Sequence, residues 1–296
     1  MKVASLAASV LFTAANVISA QPAISGAGYA VPIPAKVAPN QIVTFLVAGF
    51  GVVPRAINTS TPLGNTLGGI TAVLKQFNPD LPVPIFAIEP PSTCSDSTQP
   101  GCGTLTAITV LLPSAMHAAD PNIAGAPVEP AQILFTGPNS ATARVDLSPL
   151  VDQIHVLATC DLVLQQREQN CRPMATHAGG TFINAESPAR PGEEIVIYGV
   201  GFGYVDRTRV QFDYRVNALP SRPLLNNAQH PAYVGPVSGF QGLYQVNVVI
   251  PEPPAGTLAC STSGYASDGV ASNLTITIAG SASFDGAAVC VQVPGS

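Results

Sequence analysis

The sequence predicts an all-β protein built as two tandem sandwich domains behind a secretory leader. Three observations carry this prediction: a pattern of residues that occurs twice, many short β-branched runs parted by turn formers, and a charged start followed by an apolar run. Charged residues make up 10% of the chain, while 26 glycines and 29 prolines punctuate it. That composition suits short strands and tight connections. A hydrophobic fraction of 47% supplies too much apolar material for a disordered chain.

The leader spans residues 1–20. Lys2 supplies the charge, Val3 to Val17 the apolar run, and Ile18-Ser19-Ala20 ends on the small residue a signal peptidase requires. The alternative, an N-terminal membrane anchor, needs roughly 18–20 strongly apolar residues. Here the run is shorter and contains Ser5, Ser9, Thr13 and Asn16. No cysteine follows closely, which disfavours a lipid anchor, and Pro, Gly or charge interrupts every later apolar run. The mature protein is therefore expected outside the cytoplasm, secreted, periplasmic or extracellular, with no membrane span.

Residues 21–296 exceed the roughly 100 residues that one small sandwich needs. The division expected is a first sandwich over 21–159, a disulfide-pinned linker or hairpin over 160–172, and a second sandwich over 173–296.

The duplicated pattern sets this division. Pro39 to Gly51 (PNQIVTFLVAGFG) resembles Pro191 to Gly203 (PGEEIVIYGVGFG). Each copy starts at a proline turn, runs through a β-branched and aromatic strand and stops at Gly-Phe-Gly. Gly49 and Gly201 would allow a bend with positive φ, letting Phe50 and Phe202 fold back into a core. Downstream, Leu105 to Pro113 (LTAITVLLP) matches Leu243 to Pro251 (LYQVNVVIP). Period-2 reading assigns Thr106, Ile108, Val110 and Leu112 to the first core, and Tyr244, Val246, Val248 and Ile250 to the second. Gln245 and Asn247 then point the other way, where the first copy carries Ala107 and Thr109. The first copy also has the longer excursion between its matched strands, over Pro90 to Gly103, and this points to the first unit as the seat of any specific function.

Further strands are expected at 69–74, 84–88, 131–135, 143–147, 154–158, 209–214, 273–278 and 288–293. Thr66 to Gln76 has some helical pattern, against which Gly68-Gly69 argues. The polar run 165–170 reads as a hairpin tip or linker, and Thr176 to Thr181 as a hairpin opening the second domain.

Six cysteines in an exported chain indicate a disulfide framework. Proximity in sequence favours Cys94 with Cys102, Cys160 with Cys171, and Cys260 with Cys290, among the fifteen connectivities that six cysteines allow. A metal site has little support, because there is no Cys-x-x-Cys pair and His117, His155, His177 and His230 lack ligand spacing.

Ala175 to Glu193 (ATHAGGTFINAESPARPGE), followed by Tyr198 to Gly203 (YGVGFG) and Gly242 to Val248 (GLYQVNV), resembles the Solibacter-type carboxy-terminal domain of secreted acidobacterial proteins. That family is similar to the IPT/TIG group of immunoglobulin-like domains. The resemblance covers nearly all of the mature chain as two units, the second much the closer. It implies two immunoglobulin-like β-sandwiches and export. The family is functionally uncharacterised, so the resemblance transfers no catalytic residue.

Chemistry is sparse. There is no Gly-x-Ser-x-Gly elbow, and Gly199 to Gly203 precedes no helix that could present its N-terminus to a phosphate. A triad assembled through His177 competes with the plainer reading of a hairpin histidine. Glu89, Asp146, Asp213 and Asp285 read as turn or edge groups rather than a carboxylate pair for glycoside hydrolysis. No Asp-x-Asp series suggests calcium. The twelve basic residues are scattered and the formal charge is −5, which disfavours nucleic acid and anionic membrane as partners. No catalytic, cofactor or metal residue is assigned.

The expected role is a non-catalytic spacer, adhesive surface or binding module for a protein or glycan partner; the alternative is a secreted hydrolase or carbohydrate-active protein with an unrecognised site. Tyr204, Tyr214 and Tyr233 are the candidates for an exposed aromatic surface, in a chain with no tryptophan. The sequons at Asn58 and Asn273 read as chance occurrences.

Overall fold

The computed structural model describes residues 23–24, 34–50, 53–60, 62–76, 79–89, 105–120, 129–159, 161, 172–203, 210–214, 229–255, 257, 259–260, 273–278, 281–282 and 289–293. Within these the protein is all-β, its strands numbered in chain order. One sheet runs β1 (Ala23–Ile24), β3 (Ile42–Ala48), β9 (Leu105–Leu111), β8 (Ile85–Glu89), β4 (Ala56–Ile57). A second runs β2 (Ala35–Val37), β11 (Thr142–Pro149), β10 (Ala131–Thr136), β6 (Ile70–Lys75), β5 (Thr66–Leu67), with β7 (Leu81–Pro82) also on β6.

These two sheets enclose one core. Alternation along β3 turns Val43, Phe45 and Val47 inward, and β9 adds Ile108 and Val110. Opposite them stand Ile70, Ala72 and Leu74 of β6, Ile133 and Phe135 of β10, and Val145 and Leu147 of β11. Phe45 and Phe135 meet across the layer with ring centroids 6.0 Å apart. Each fully buried side chain of this size contributes about 1.5–3 kcal/mol of transfer free energy. The segment 66–76 is a hairpin of β5 and β6 rather than a helix: Gly68 and Gly69 take φ of +55° and +79° and turn the chain between paired strands.

The second half repeats the layering. One sheet runs β12 (His155–Val156), β14 (Glu194–Val200), β17 (Tyr244–Val249), β16 (Tyr233–Pro236), with β13 (Ala175–His177) also on β14. Facing it is a sheet of β15 (Val210–Tyr214), β18 (Leu274–Ile278) and β19 (Ser281–Ala282). Between them lie Ile195, Ile197, Val246, Val248, Val210, Phe212, Tyr214 and Leu274. Thr106, Ile108, Val110 and Leu112 are buried as period-2 reading expects, and so are Tyr244, Val246, Val248 and Ile250.

The segment 154–158 departs from its expected place. β12 pairs antiparallel with β14, His155 opposite Val200, and Ile154 and Val156 belong to the second core. The passage between the cores is hydrogen-bonded throughout: Leu150 N–H donates to Val37 O, Val151 to Ala119, Gln153 to Gly201 and Leu157 to Tyr198. Gly201, at φ +76°, must be glycine, because a Cβ there would collide with the Gln153 carbonyl. Leu157 and Val200 are buried against Ile42 of the first half and Met174 and Leu243 of the second.

Cys260 is bonded to Cys290, with Cα atoms 5.4 Å apart. Cys94, Cys102, Cys160 and Cys171 lie outside the described residues, as do Asp285, the excursion 90–103 and the polar run 165–170. The base of that last segment is closed by the Thr159 amide donating to the Arg172 carbonyl, the Arg172 amide donating to Thr159 Oγ1, and a bridge from Ala158 to Pro173. No helix of the described residues is long and apolar enough to cross a membrane.

Candidate functional site

The two repeats pair in the same register. In the first half Phe45 faces Ile108 across β3 and β9; at the matching positions of the second half, Ile197 faces Val246 across β14 and β17. The third strand follows suit, with Ala87 opposite Thr109 and Tyr233 opposite Asn247. Position-by-position comparison of the two outward faces is therefore meaningful, since equal register fixes equal direction of every side chain.

In the first half that face is closed. Thr44 and Thr109 are buried and their hydroxyls hydrogen-bond across the strands at 2.8 Å. Ala87 and Ala107 beside them are buried as well. Matching positions in the second half carry Val196 and Asn247, Tyr233 and Gln245, all partly or largely exposed. Glu194 and Val249 stand where the first half has Ile42 and Leu111, and Tyr198 replaces Leu46.

A polar row runs along this open face. Gln245 Nε2 donates to Asn247 Oδ1 at 2.7 Å, and Asn247 Nδ2 donates to Glu194 Oε1 at 3.2 Å. Beside it lies Tyr233, 45% exposed, on β16 at the edge of the sheet. Its ring lies along its own strand over Gly235, where a Cβ would come within 2.8 Å of Tyr233 Cζ. Glycine is unfavourable within a strand unless something approaches closely, and here the tyrosine ring does. Beyond this face Ile42 of the first half packs against the pair of Leu157 and Val200, as does Leu243.

A second cluster forms at the start of β14. His177 Nδ1 is hydrogen-bonded to Glu193 Oε1, and His177 Nε2 stands 3.2 Å from Ser187 Oγ and 3.2 Å from the Ser187 carbonyl oxygen. The second Glu193 oxygen accepts from the Arg190 amide at 2.9 Å. Burial pushes the Glu193 carboxyl up, but the Arg190 amide, the His177 ring and the charges of both residues outweigh it and hold it below its ordinary value. An open cleft of about 670 Å³ adjoins, lined by Thr181, Arg190 and Gln292 among others.

Serine, histidine and carboxylate thus stand in the order nucleophile, base and orienting group. Acyl transfer also needs donors for the developing oxyanion. The amides of Glu186 and Ser187 are spent on Asn184 Oδ1, at 2.9 and 2.7 Å. Ala189 donates to the Cys290 carbonyl, and position 188 is proline. What this arrangement does in the fold is tie the β13 hairpin to the turn before β14.

Of the two aromatic candidates among the described residues, Tyr233 stands on an open surface and Tyr214 does not. Tyr214 is fully buried, its hydroxyl donating to the Pro251 carbonyl at 2.6 Å, because its strand position points it between the sheets. Tyr204 lies outside the described residues. Asp213 lies on β15, the end strand of its sheet, and is buried there. Asn273 is buried too, its amide exchanging two hydrogen bonds with the Val291 backbone, so that sequon has a structural use. Sequence reasoning had Gln245 and Asn247 outward but missed Tyr198, Glu194 and Gly235, whose neighbours come only from cross-strand register. Among the described residues no group of three or more His, Cys, Asp or Glu is placed to hold a metal ion. No protein-family profile matches the chain, and no curated protein matches it significantly.

Proposed function

We propose that the protein is a non-catalytic secreted or cell-envelope module, two immunoglobulin-like domains of IPT/TIG type in which the first positions the second and the second binds a protein or glycan partner. One observation carries this reading: at matching register, the outward face is sealed by Thr44, Thr109, Ala87 and Ala107 in the first half and left open, polar and aromatic in the second. A face kept open in one copy and closed in its duplicate is spared from packing, and an exposed polar and aromatic surface held on a rigid scaffold suits recognition. The hydrogen-bonded passage and the buried contact of Ile42 with Leu157 and Val200 support a fixed relation between the halves.

The experiment is capture. Mature protein immobilised by its carboxy terminus is exposed to envelope extracts and glycan arrays, and a native ligand lost on substitution of Tyr233 is the expected result. Failure to capture anything leaves a pure spacer. Ester turnover abolished by Ser187→Ala in a folded protein would instead establish the hydrolase. Export is tested by amino-terminal sequencing, which should begin at Gln21.

A further inference from the structure

We infer that the open face of the second half is a binding site for a neutral oligosaccharide, with Tyr233 as the stacking platform and Gln245, Asn247 and Glu194 as the hydroxyl-reading row; this rests on the partner-binding reading above. The platform comes first. The hydroxyl end of the Tyr233 ring lies against Gly235 and the residue is 45% exposed, so part of the ring is open to solvent. An aromatic face of this kind pairs with the C–H face of a pyranose, which is apolar above and below the ring and polar around its rim.

The rim needs partners that both donate and accept, because every sugar hydroxyl does both. The row supplies them. After the bonds from Gln245 to Asn247 and from Asn247 to Glu194, the Gln245 carbonyl oxygen, the second N–H of each amide and the second Glu194 oxygen are left over. Asn247 stands directly opposite Tyr233, and Gln245 opposite Gly235, so ring and amides border one strip of sheet. From residue 245 to residue 249 the strip is about 14 Å long at the usual rise of a strand. That length takes a short oligosaccharide rather than a single sugar.

Charge decides the class of sugar. Among the described residues of this face, Thr176, Glu194, Val196, Tyr198, Tyr233, Gly235, Gln245, Asn247 and Val249, Glu194 is the one charged side chain. No cation stands among them to receive a carboxylate or sulfate, and Glu194 would repel one. Ile42 of the first half packs against Val200 and Leu157 and lies close to Gly242, which puts the strip near the junction of the halves, where ligand sites are commonly found.

The test uses the full mature chain and calorimetric titration with neutral cello-, xylo-, manno- and chito-oligosaccharides, and with oligogalacturonate as the acidic comparison. The expected result is binding of at least one neutral series, weaker binding of oligogalacturonate, and a loss of tenfold or more in affinity for Tyr233→Ala and for Asn247→Ala at unchanged thermal unfolding. Tyr233→Phe should keep most of the affinity, which separates stacking from loss of the hydroxyl. Absence of binding to every neutral series, or equal affinity in Tyr233→Ala, overturns the inference. Capture from envelope extract that survives periodate oxidation of glycans yet disappears with Tyr233→Ala would assign the face to a protein, sinking the sugar and leaving the partner-binding reading standing. Failure of every capture and titration removes both.

Discussion

Gly242 of the second half lies so close to Ile42 of the first that a Cβ on it would come within 2.7 Å of Ile42 Cγ1 and 2.8 Å of Leu111 Cδ1. The joint between the cores therefore depends on a missing side chain. Gly242→Val should force the halves apart, and Gly239→Val is the matched control. Both glycines have positive φ, +78° and +81°, so both share a backbone penalty of roughly 1–2 kcal/mol, but nothing lies within 4 Å of Gly239. Only Gly242→Val adds overlap, worth about 1–3 kcal/mol. Small-angle scattering should show a longer particle for Gly242→Val alone. Equal radii for the two variants would remove this account of the joint.

A buried pair stiffens the same region from the other side. His155 Nε2 meets Asp161 Oδ2 at 2.8 Å, and that oxygen also accepts the Ala158 amide at 2.8 Å. Exposure of the two side chains is 0% and 4%. Removing the carboxylate deprives buried donors of their acceptor, at a cost of about 1–3 kcal/mol. Asp161→Ala should unfold at markedly lower denaturant than wild type, with Asp161→Asn between them because it keeps an acceptor for Ala158. Coincident curves for all three would show the pair to be dispensable.

Much of this was legible in the sequence, and the reason is periodicity. Residues 106, 108, 110 and 112 alternate with their neighbours, so their inward direction follows from the strand pattern alone. Phe50 and Phe202 could be placed in the cores for a similar reason, because each follows a glycine able to bend the chain. Other features depend on partners far away in sequence. Tyr214 read as a surface candidate because nothing local says that this side of β15 faces the second core. Strand 155–156 was assigned to the first unit because proximity along the chain favours it, whereas the free edge of β14 claims it. The open face was invisible in the sequence: Tyr233, Gln245 and Glu194 acquire a common strip only once three strands are in register, and the divergence at Ala107 and Thr109 falls in the copy whose outward face is buried.

Tyr214 gives the fold an alkaline limit. Burial chiefly, with the charges of Glu252 and Asp213 adding to it, raises its hydroxyl well above the ordinary 10.0. The folded state thus keeps its proton where the unfolded state loses it, so the contribution is complete below pH 10.0 and declines as pH rises beyond. Tyrosinate absorbance from this residue should appear only together with loss of β circular dichroism. Tyr214→Phe should lose the bond to Pro251, at a cost of about 0.5–1.5 kcal/mol, and move the alkaline transition upward. An unchanged alkaline midpoint would discharge Tyr214 from this role.

The bond between Cys260 and Cys290 closes a loop of 30 residues. Chain-entropy reasoning gives such a closure about 3–4 kcal/mol. Cys290 is fully buried in the second core, so Cys290→Ser also places a hydroxyl there. Cys260→Ser, at the more exposed end, is the cleaner probe and should lower stability by that amount. Non-reducing peptide mapping of exported protein should recover this link together with Cys94 to Cys102 and Cys160 to Cys171. A free thiol at any of the six would break the framework.

The brace at His177 sets the acid limit. Glu193 titrates below its ordinary value of 4.5 in the fold, so the unfolded chain takes up a proton first as pH falls. The contribution of the brace is therefore fully present above that value and is lost as pH drops through the folded pKa. Glu193→Gln keeps the size of the side chain and a carbonyl acceptor, but cannot carry the charge that His177 and the Arg190 amide face. It should lower stability at pH 7 and approach wild type as pH falls, so that the two curves of stability against pH converge on the acid side. A parallel displacement at every pH would mean that Glu193 acts through packing, and the ionic brace would have to be given up.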